Sequence, residues 1–183
     1  TSYDQIYDEH IYMFSASSIN KIYKRHGMYL IDAMHQKTHG GSMRYVIANN
    51  FKAKQSSRLI KILKKEKRKN IDNFKGCIRF KKKVENSKKK LIKKLLKMKK
   101  NNMKICGYGA TSKSTTILNY CKIGPNIIDV IFDTTKDKIN KFTPGMHIPV
   151  VDYKFFKKRN YKNVFLFAWN HRKEILKKEK NKN

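Results

Sequence analysis

Acidic side chains are scarce in this chain. Only 13 Asp and Glu stand against 44 Lys and Arg, a formal net charge of +31 over 183 residues. A balance that basic usually points to nucleic acid or another anionic surface. The rest of the composition argues for a blander origin. Lysine far outnumbers arginine, and asparagine and isoleucine are abundant, the set that an AT-rich coding sequence favours. Phosphate and base recognition recruits arginine for its rigid fork. The charge therefore reads as drift over a solvated surface, with only non-specific nucleic-acid binding expected. Cysteine is also rare: Cys77, Cys106 and Cys121 form no C-x-x-C pair, so no zinc site is read. Their odd number and wide spacing suit a reducing compartment. No apolar run approaches the roughly 20 residues of a membrane span. The start is acidic and aromatic rather than basic and then apolar, unlike a signal peptide. A cytoplasmic protein with no membrane partner is expected. Proline is scarce and no internal repeat is found.

What remains organises into two stretches. In the first, Ser15 or Ser17 can cap a helix carrying Ile19, Ile22 and Tyr23 on one face, with Gly27 as its stop. M-Y-L-I-D-A-M-H and M-R-Y-V-I-A then read as strands around the polar turn Q-K-T-H-G-G-S. Residues 51–104 read as helical and heavily lysine-loaded. Cys77, Phe80, Val84, Leu91, Leu95 and Met98 form one apolar stripe, with Lys88 filling a wider gap. That stripe is expected to be an ordinary buried face.

The pattern changes at residue 103. M-K-I-C-G-Y-G-A-T-S-K-S-T-T-I-L-N-Y-C predicts strand, glycine turn, helix. N-I-I-D-V-I-F-D-T-T, I-P-V-V-D-Y and N-V-F-L-F-A-W-N predict three further strands. Strands alternating with helices imply a parallel, Rossmann-like sheet. Gly107 and Gly109 allow a tight turn into a helix whose N-terminus can hold a phosphate. Asp133 lies near the position of a dinucleotide fold's ribose carboxylate. The third glycine position, however, holds Ser112, and Lys113 places a positive charge in the first helical turn, where the dipole disfavours it. An anionic ligand is expected after Gly109, with NAD the less favoured occupant. The P-loop spacing is absent.

The opening stretch Y-D-Q-I-Y-D-E-H-I-Y-M-F-S puts Asp4, Asp8, Glu9 and His10 among aromatics. A histidine titrating near neutrality can take a proton from carbon or oxygen. Incidental charge on a surface loop is the competing reading, and periodicity does not decide between them.

The order of motifs does. Y-D-Q-I-Y-D-E-H-I-Y-M-F-S, H-G-G-S-M-R, G-Y-G-A-T-S-K-S-T-T-I-L-N-Y, P-G-M-H-I-P-V and F-A-W-N-H-R-K-E-I together resemble the C-terminal half of the nucleotide-sugar C-methyltransferases. These enzymes use S-adenosylmethionine to methylate a deoxysugar carbon beside a ketone. The family's stretch I-Y-H-E-H, with a tyrosine close behind, is matched here at Tyr7, Glu9, His10 and Tyr12, while Asp8 replaces the first histidine. The resemblance implies that His10 is the base for the proton next to the 4-keto group, with Tyr7 and Glu9 alongside as catalytic partners. It implies that Tyr12, His39, Ser42, Arg44, Tyr108 and Lys113 face the nucleotide-linked 4-keto deoxysugar. Ser114 replaces the glycine that usually follows Lys113 in the family.

The resemblance also implies what stands in front. The family carries a cysteine-rich zinc module and a glycine-rich core that binds S-adenosylmethionine, and neither is found in this chain. The sequence thus reads as beginning partway through an enzyme. No cofactor-binding or metal-binding residue is expected here, and a separately encoded N-terminal half is an expected partner. The fold expected is α/β. Residues 1–50 would be the C-terminal part of a class I methyltransferase domain. Residues 51–183 would be the methyltransferase C-terminal domain, with lysine-rich helices over 51–102 and a Rossmann-like sheet over 103–183. Two other readings stand beside this one: a free-standing Rossmann-like nucleotide-binding module, and a basic nucleic-acid binder.

Overall fold

The computed structural model describes residues 2–180, except the side chain of His39. It comprises two compact units, one of residues 1–11 with 84–183 and the other of residues 12–83. The compact units thus divide elsewhere than at residue 50. The opening stretch groups with the C-terminal sheet, because its first side chains are buried there.

The second unit is a hairpin covered by helices. Strands β1 (Tyr29–Gln36) and β2 (Ser42–Ala48) pair antiparallel, Ala33 opposite Tyr45. Helices α1 (Ala16–Lys24) and α2 (Ser57–Arg68) close one hydrophobic cluster over them, around Ala16, Ile19, Leu30, Ala33 and Leu59. Ser15 caps α1 through a capping box with Ser18. The buried Glu66 of α2 adds a second cap, accepting from the backbone N–H groups of Ala16 (3.0 Å) and Ser17 (2.8 Å). A carboxylate at that end satisfies orphan donors and the helix dipole together.

The helical run expected over 51–104 is broken in the structure. After α2, Asn70 takes a left-handed φ of 50°, and the side chain of Asn73 accepts from the N–H of Gly76 at 3.2 Å. These two asparagines end one helix and start the next, α3 (Phe74–Lys100).

The first unit is built on a parallel sheet of β3 (Ile105–Tyr108), β4 (Ile131–Asp133), β5 (Val150–Asp152) and β6 (Asn163–Leu166). Its order is β5-β4-β3-β6, all parallel, so the chain returns across β3 to add β6 on the other side. Side chains alternate across it, as a strand's two-residue period requires. Ile105 and Ile131 face a cluster with Leu95 of α3 and Leu118 of helix α4 (Ser112–Cys121). Cys106 and Phe132 face the opposite cluster. The stripe on α3 is split accordingly. Val84 and Leu95 are buried and Leu91 and Met98 half-buried, whereas Cys77 and Phe80 are exposed. Lys88 fills its gap by lying over the Tyr120 ring, 4.5 Å from the centroid.

The face of Cys106 and Phe132 is covered by aromatics, with Phe156 and Tyr161 at ring separations of 5.3 and 5.9 Å from Phe132. Gly107 runs where no side chain fits: a Cβ there would lie 2.8 Å from both Ile131 and Phe167.

Asp32 of β1 ties the hairpin to α2. Its carboxylate accepts from Arg58 and from the hydroxyl of Ser56, the α2 N-cap, at 2.6 Å. These bonds, Arg58 first, hold its carboxyl down at about 2, against 3.8 ordinarily. A carboxylate depressed on folding contributes stability above its unfolded pKa and loses it as pH falls through the folded one. The second unit is therefore expected to lose stability between about pH 4 and 2, and Asp32→Asn should flatten that loss. Denaturant melts followed across the pH range check this, and an unchanged slope in the variant contradicts it.

Candidate active site

The opening stretch has little regular structure of its own. Tyr3–Gln5 make one 3-10 turn, and the N–H of His10 donates to the Tyr7 carbonyl at 2.8 Å. His10 then turns its ring back, placing Nδ1 2.7 Å from the carbonyl oxygen of Gln5. A carbonyl only accepts, so Nδ1 carries the hydrogen. Neutral His10 therefore has its lone pair on Nε2, on an exposed side chain. The Tyr7 ring lies 4.2 Å from the imidazole, tilted by 32°. Its phenol is pushed above the ordinary tyrosine pKa, first by burial and then by the negative charges of Glu9, Asp4 and Asp8. Tyr7 thus stays a hydrogen-bond donor at neutral pH. Glu9 is exposed beside them.

Three contacts seat this stretch on the sheet unit. The buried Tyr3 meets Tyr120 edge-on at 5.5 Å, its hydroxyl 3.6 Å from the Cys121 sulfur. The carboxylate of Asp4, 7% exposed, accepts from the indole N–H of Trp169 at 2.6 Å. The hydroxyl of Thr116 donates to the Ile6 carbonyl at 3.0 Å. Tyr3, Asp4 and Trp169 also line a cavity of about 410 Å³, whose wall includes Lys113, only 8% exposed. The fold thus brings the expected anion-binding lysine to the start of the His10 stretch.

The glycine turn is occupied by the protein itself. Gly109 takes a φ of 89°, and the next N–H, of Ala110, donates to Asp133 at 2.6 Å. Asp133 also accepts from the N–H of Thr135 at 2.7 Å and is buried. Thr111 caps α4, accepting from the Ser114 N–H at 3.1 Å. The carboxylate that a dinucleotide's ribose would need is therefore committed to the backbone, as is the first amide after the turn. Above the turn lies a crevice of about 480 Å³ at the C-terminal ends of β3 and β4. Tyr108 forms part of its wall, and its hydroxyl donates to Glu179 at 3.0 Å, next to that of Tyr153 at 2.6 Å. Burial first, and then Glu179, pushes the Tyr153 phenol up to about 12 and Tyr108 in the same direction.

Tyr12, His39, Ser42 and Arg44 belong to the other unit. Tyr12 is exposed, its ring 6.0 Å from Phe14. Ser42 and Arg44 are exposed on alternate positions of β2, hence on one face of the strand, and the Ser42 hydroxyl donates to Thr38 at 3.3 Å. The side chain of His39 lies outside the described residues. Among the described residues no cluster of His, Cys, Asp and Glu could hold a metal, and no helix is long and apolar enough to cross a membrane.

Sequence reasoning missed Gln5, Thr116 and Trp169. A backbone carbonyl and a threonine on a helix leave no signal in sequence. Trp169 did, as the chain's one tryptophan, placed shortly after an apolar strand segment.

Residues 37–183 match the family model described as the C-methyltransferase C-terminal domain. The chain belongs to that family. It is also 27% identical over 180 residues to the C-methyltransferase NovU of Streptomyces niveus. The match takes in 97% of this chain and 43% of that protein, so the chain spans less than half the length of this relative.

If Asp133 braces the turn, Asp133→Ala leaves two backbone donors without their acceptor. A loss of at least about 1.5–3 kcal/mol is expected, the value of one hydrogen bond to a charged group, read by urea unfolding. Tight NAD binding, abolished in the variant at unchanged stability, would contradict it.

Proposed function

We propose that this chain is the C-terminal part of an S-adenosylmethionine-dependent enzyme that methylates a carbon next to the keto group of a nucleotide-linked deoxysugar, and that it supplies the base. The observation that carries the reading is His10: its Nδ1–H is engaged by Gln5, so Nε2 is the free base. Proton removal beside a ketone needs a base titrating near neutrality and a donor at the oxygen where charge develops. His10 Nε2 takes the proton. The Tyr7 phenol, protonated and in ring contact with His10, donates to the developing enolate oxygen. Glu9 and Asp8 stand beside His10 in the chain, and Glu9 is the further catalytic partner that the family resemblance suggests.

The residues here do not fit S-adenosylmethionine. Its adenosine needs a free turn amide and an acidic residue after the second strand, and Ala110 and Asp133 use theirs on each other. The methyl donor belongs to a part of the parent enzyme outside this chain, as does any zinc module. The cavity shared by Lys113 and the start of the His10 stretch supports a phosphate-bearing substrate, with the nucleotide's charge toward the lysine. Tyr12, His39, Ser42, Arg44 and Tyr108 complete the substrate-facing set that the family resemblance suggests, and the parent enzyme works in the cytoplasm.

With the remaining half of the enzyme supplied, His10→Asn is expected to lower methyl transfer by about 10²–10⁴, the usual weight of a general base. Sugar-nucleotide affinity, measured by titration calorimetry, should change little. Full turnover in the variant overturns the assignment.

A further inference from the structure

Nine residues with two short turns do not hold a histidine still, since ordering each backbone residue costs about 1–2 kcal/mol. Something outside the stretch must fix it. The contacts that do so fall at positions 3, 4 and 6, on both sides of Gln5, whose carbonyl orients His10. We propose that Asp4, Trp169 and Thr116 form a latch by which the C-terminal sheet unit holds the Gln5 carbonyl against His10. On this view Trp169 and Thr116 are positioning residues for the base. The inference rests on His10 having that role.

The latch has two unequal arms. Asp4 and the Trp169 indole make a charge-assisted bond at 2.6 Å, with the carboxylate almost fully withdrawn from water. A carboxylate so placed has no cheap alternative if its donor is removed, which makes this arm the decisive one. Lys113 lines the same cavity. The second arm, Thr116 to the Ile6 carbonyl, is a neutral bond on a more open surface. It sets the direction in which the chain leaves the turn. Trp169 stands three residues after the end of β6, and Thr116 stands on α4, so both arms are fixed to the packed sheet. The Rossmann-like unit thereby acts as a platform for a loop that precedes it by a hundred residues in sequence.

Hydrogen exchange on the full chain tests this without any methyl transfer. The amides of Gln5, Ile6 and His10 are bonded within the stretch and report its order. Trp169→Phe keeps an aromatic ring, though a smaller one, and removes the N–H; Asp4→Ala removes the acceptor; Asp4→Asn keeps one. The first two variants should speed exchange of these three amides by about ten- to a hundredfold. Amides of β3 and β4 should stay as in the wild type, and Asp4→Asn should restore most of the protection. Should Trp169→Phe unsettle the sheet unit, the two Asp4 variants decide. Unchanged exchange at Gln5, Ile6 and His10 in Asp4→Ala overturns the latch, and so does a loss spread equally over the sheet. A latch that holds while His10→Asn retains full turnover would instead fault the base assignment alone.

Discussion

A backbone carbonyl has no hydrogen to give, and the carbonyl of Gln5 lies 2.7 Å from one nitrogen of His10. That pairing sets which nitrogen is protonated, and with it which one can act. It also sets the plane of the ring, and the Tyr7 phenol stands beside that plane. Every chemical role read from the opening stretch depends on this one contact. The contact in turn depends on Gln5 being held, which the stretch cannot do alone. Tyr3, Asp4 and Ile6 are held by α4 and by the loop after β6, elements separated from them by more than a hundred residues of sequence.

The same logic explains the sheet. A Rossmann-like order with a glycine turn suggests a nucleotide at the turn, yet Asp133 has taken the first amide there and Thr135 has taken its other oxygen. Gly107 serves close packing rather than ligand approach, since a Cβ would strike Ile131 and Phe167. A fold associated with cofactor binding has its usual donors satisfied internally, and what it offers is rigidity at the ends of β3 and β6. The groups that grip the opening stretch sit on α4 and in the loop after β6.

Much of the fold was legible in the sequence. The α1 cap at Ser15, the hairpin around the glycine pair and the four parallel strands all follow from local chemistry and period. The break between α2 and α3 was not, because lysine-rich helical periodicity continues across it and only two asparagines mark it. The covering of one sheet face by Phe156 and Tyr161 was also hidden, since aromatic rings in a loop carry no period. At the candidate site, the choice of His10, Glu9 and Tyr7 was legible in an ordered set of motifs. Their orientation was not, because it depends on a carbonyl and on partners far away in the chain. Lys113 was read as facing the glycine turn. Its side chain lines the cavity beside Asp4 and Trp169, a placement set by the rotation of α4 and invisible to spacing.

The central claim is that the folded chain presents His10 as an imidazole protonated on Nδ1, with Nε2 as the base. Long-range nitrogen–proton correlation of the ¹⁵N-labelled chain, recorded at alkaline pH where imidazoles are neutral, reads this directly. The account predicts one tautomer, with a pyrrole-like Nδ1 and a pyridine-like Nε2. A dominant Nε2–H tautomer, or the averaged signals of a freely exchanging imidazole, would contradict it.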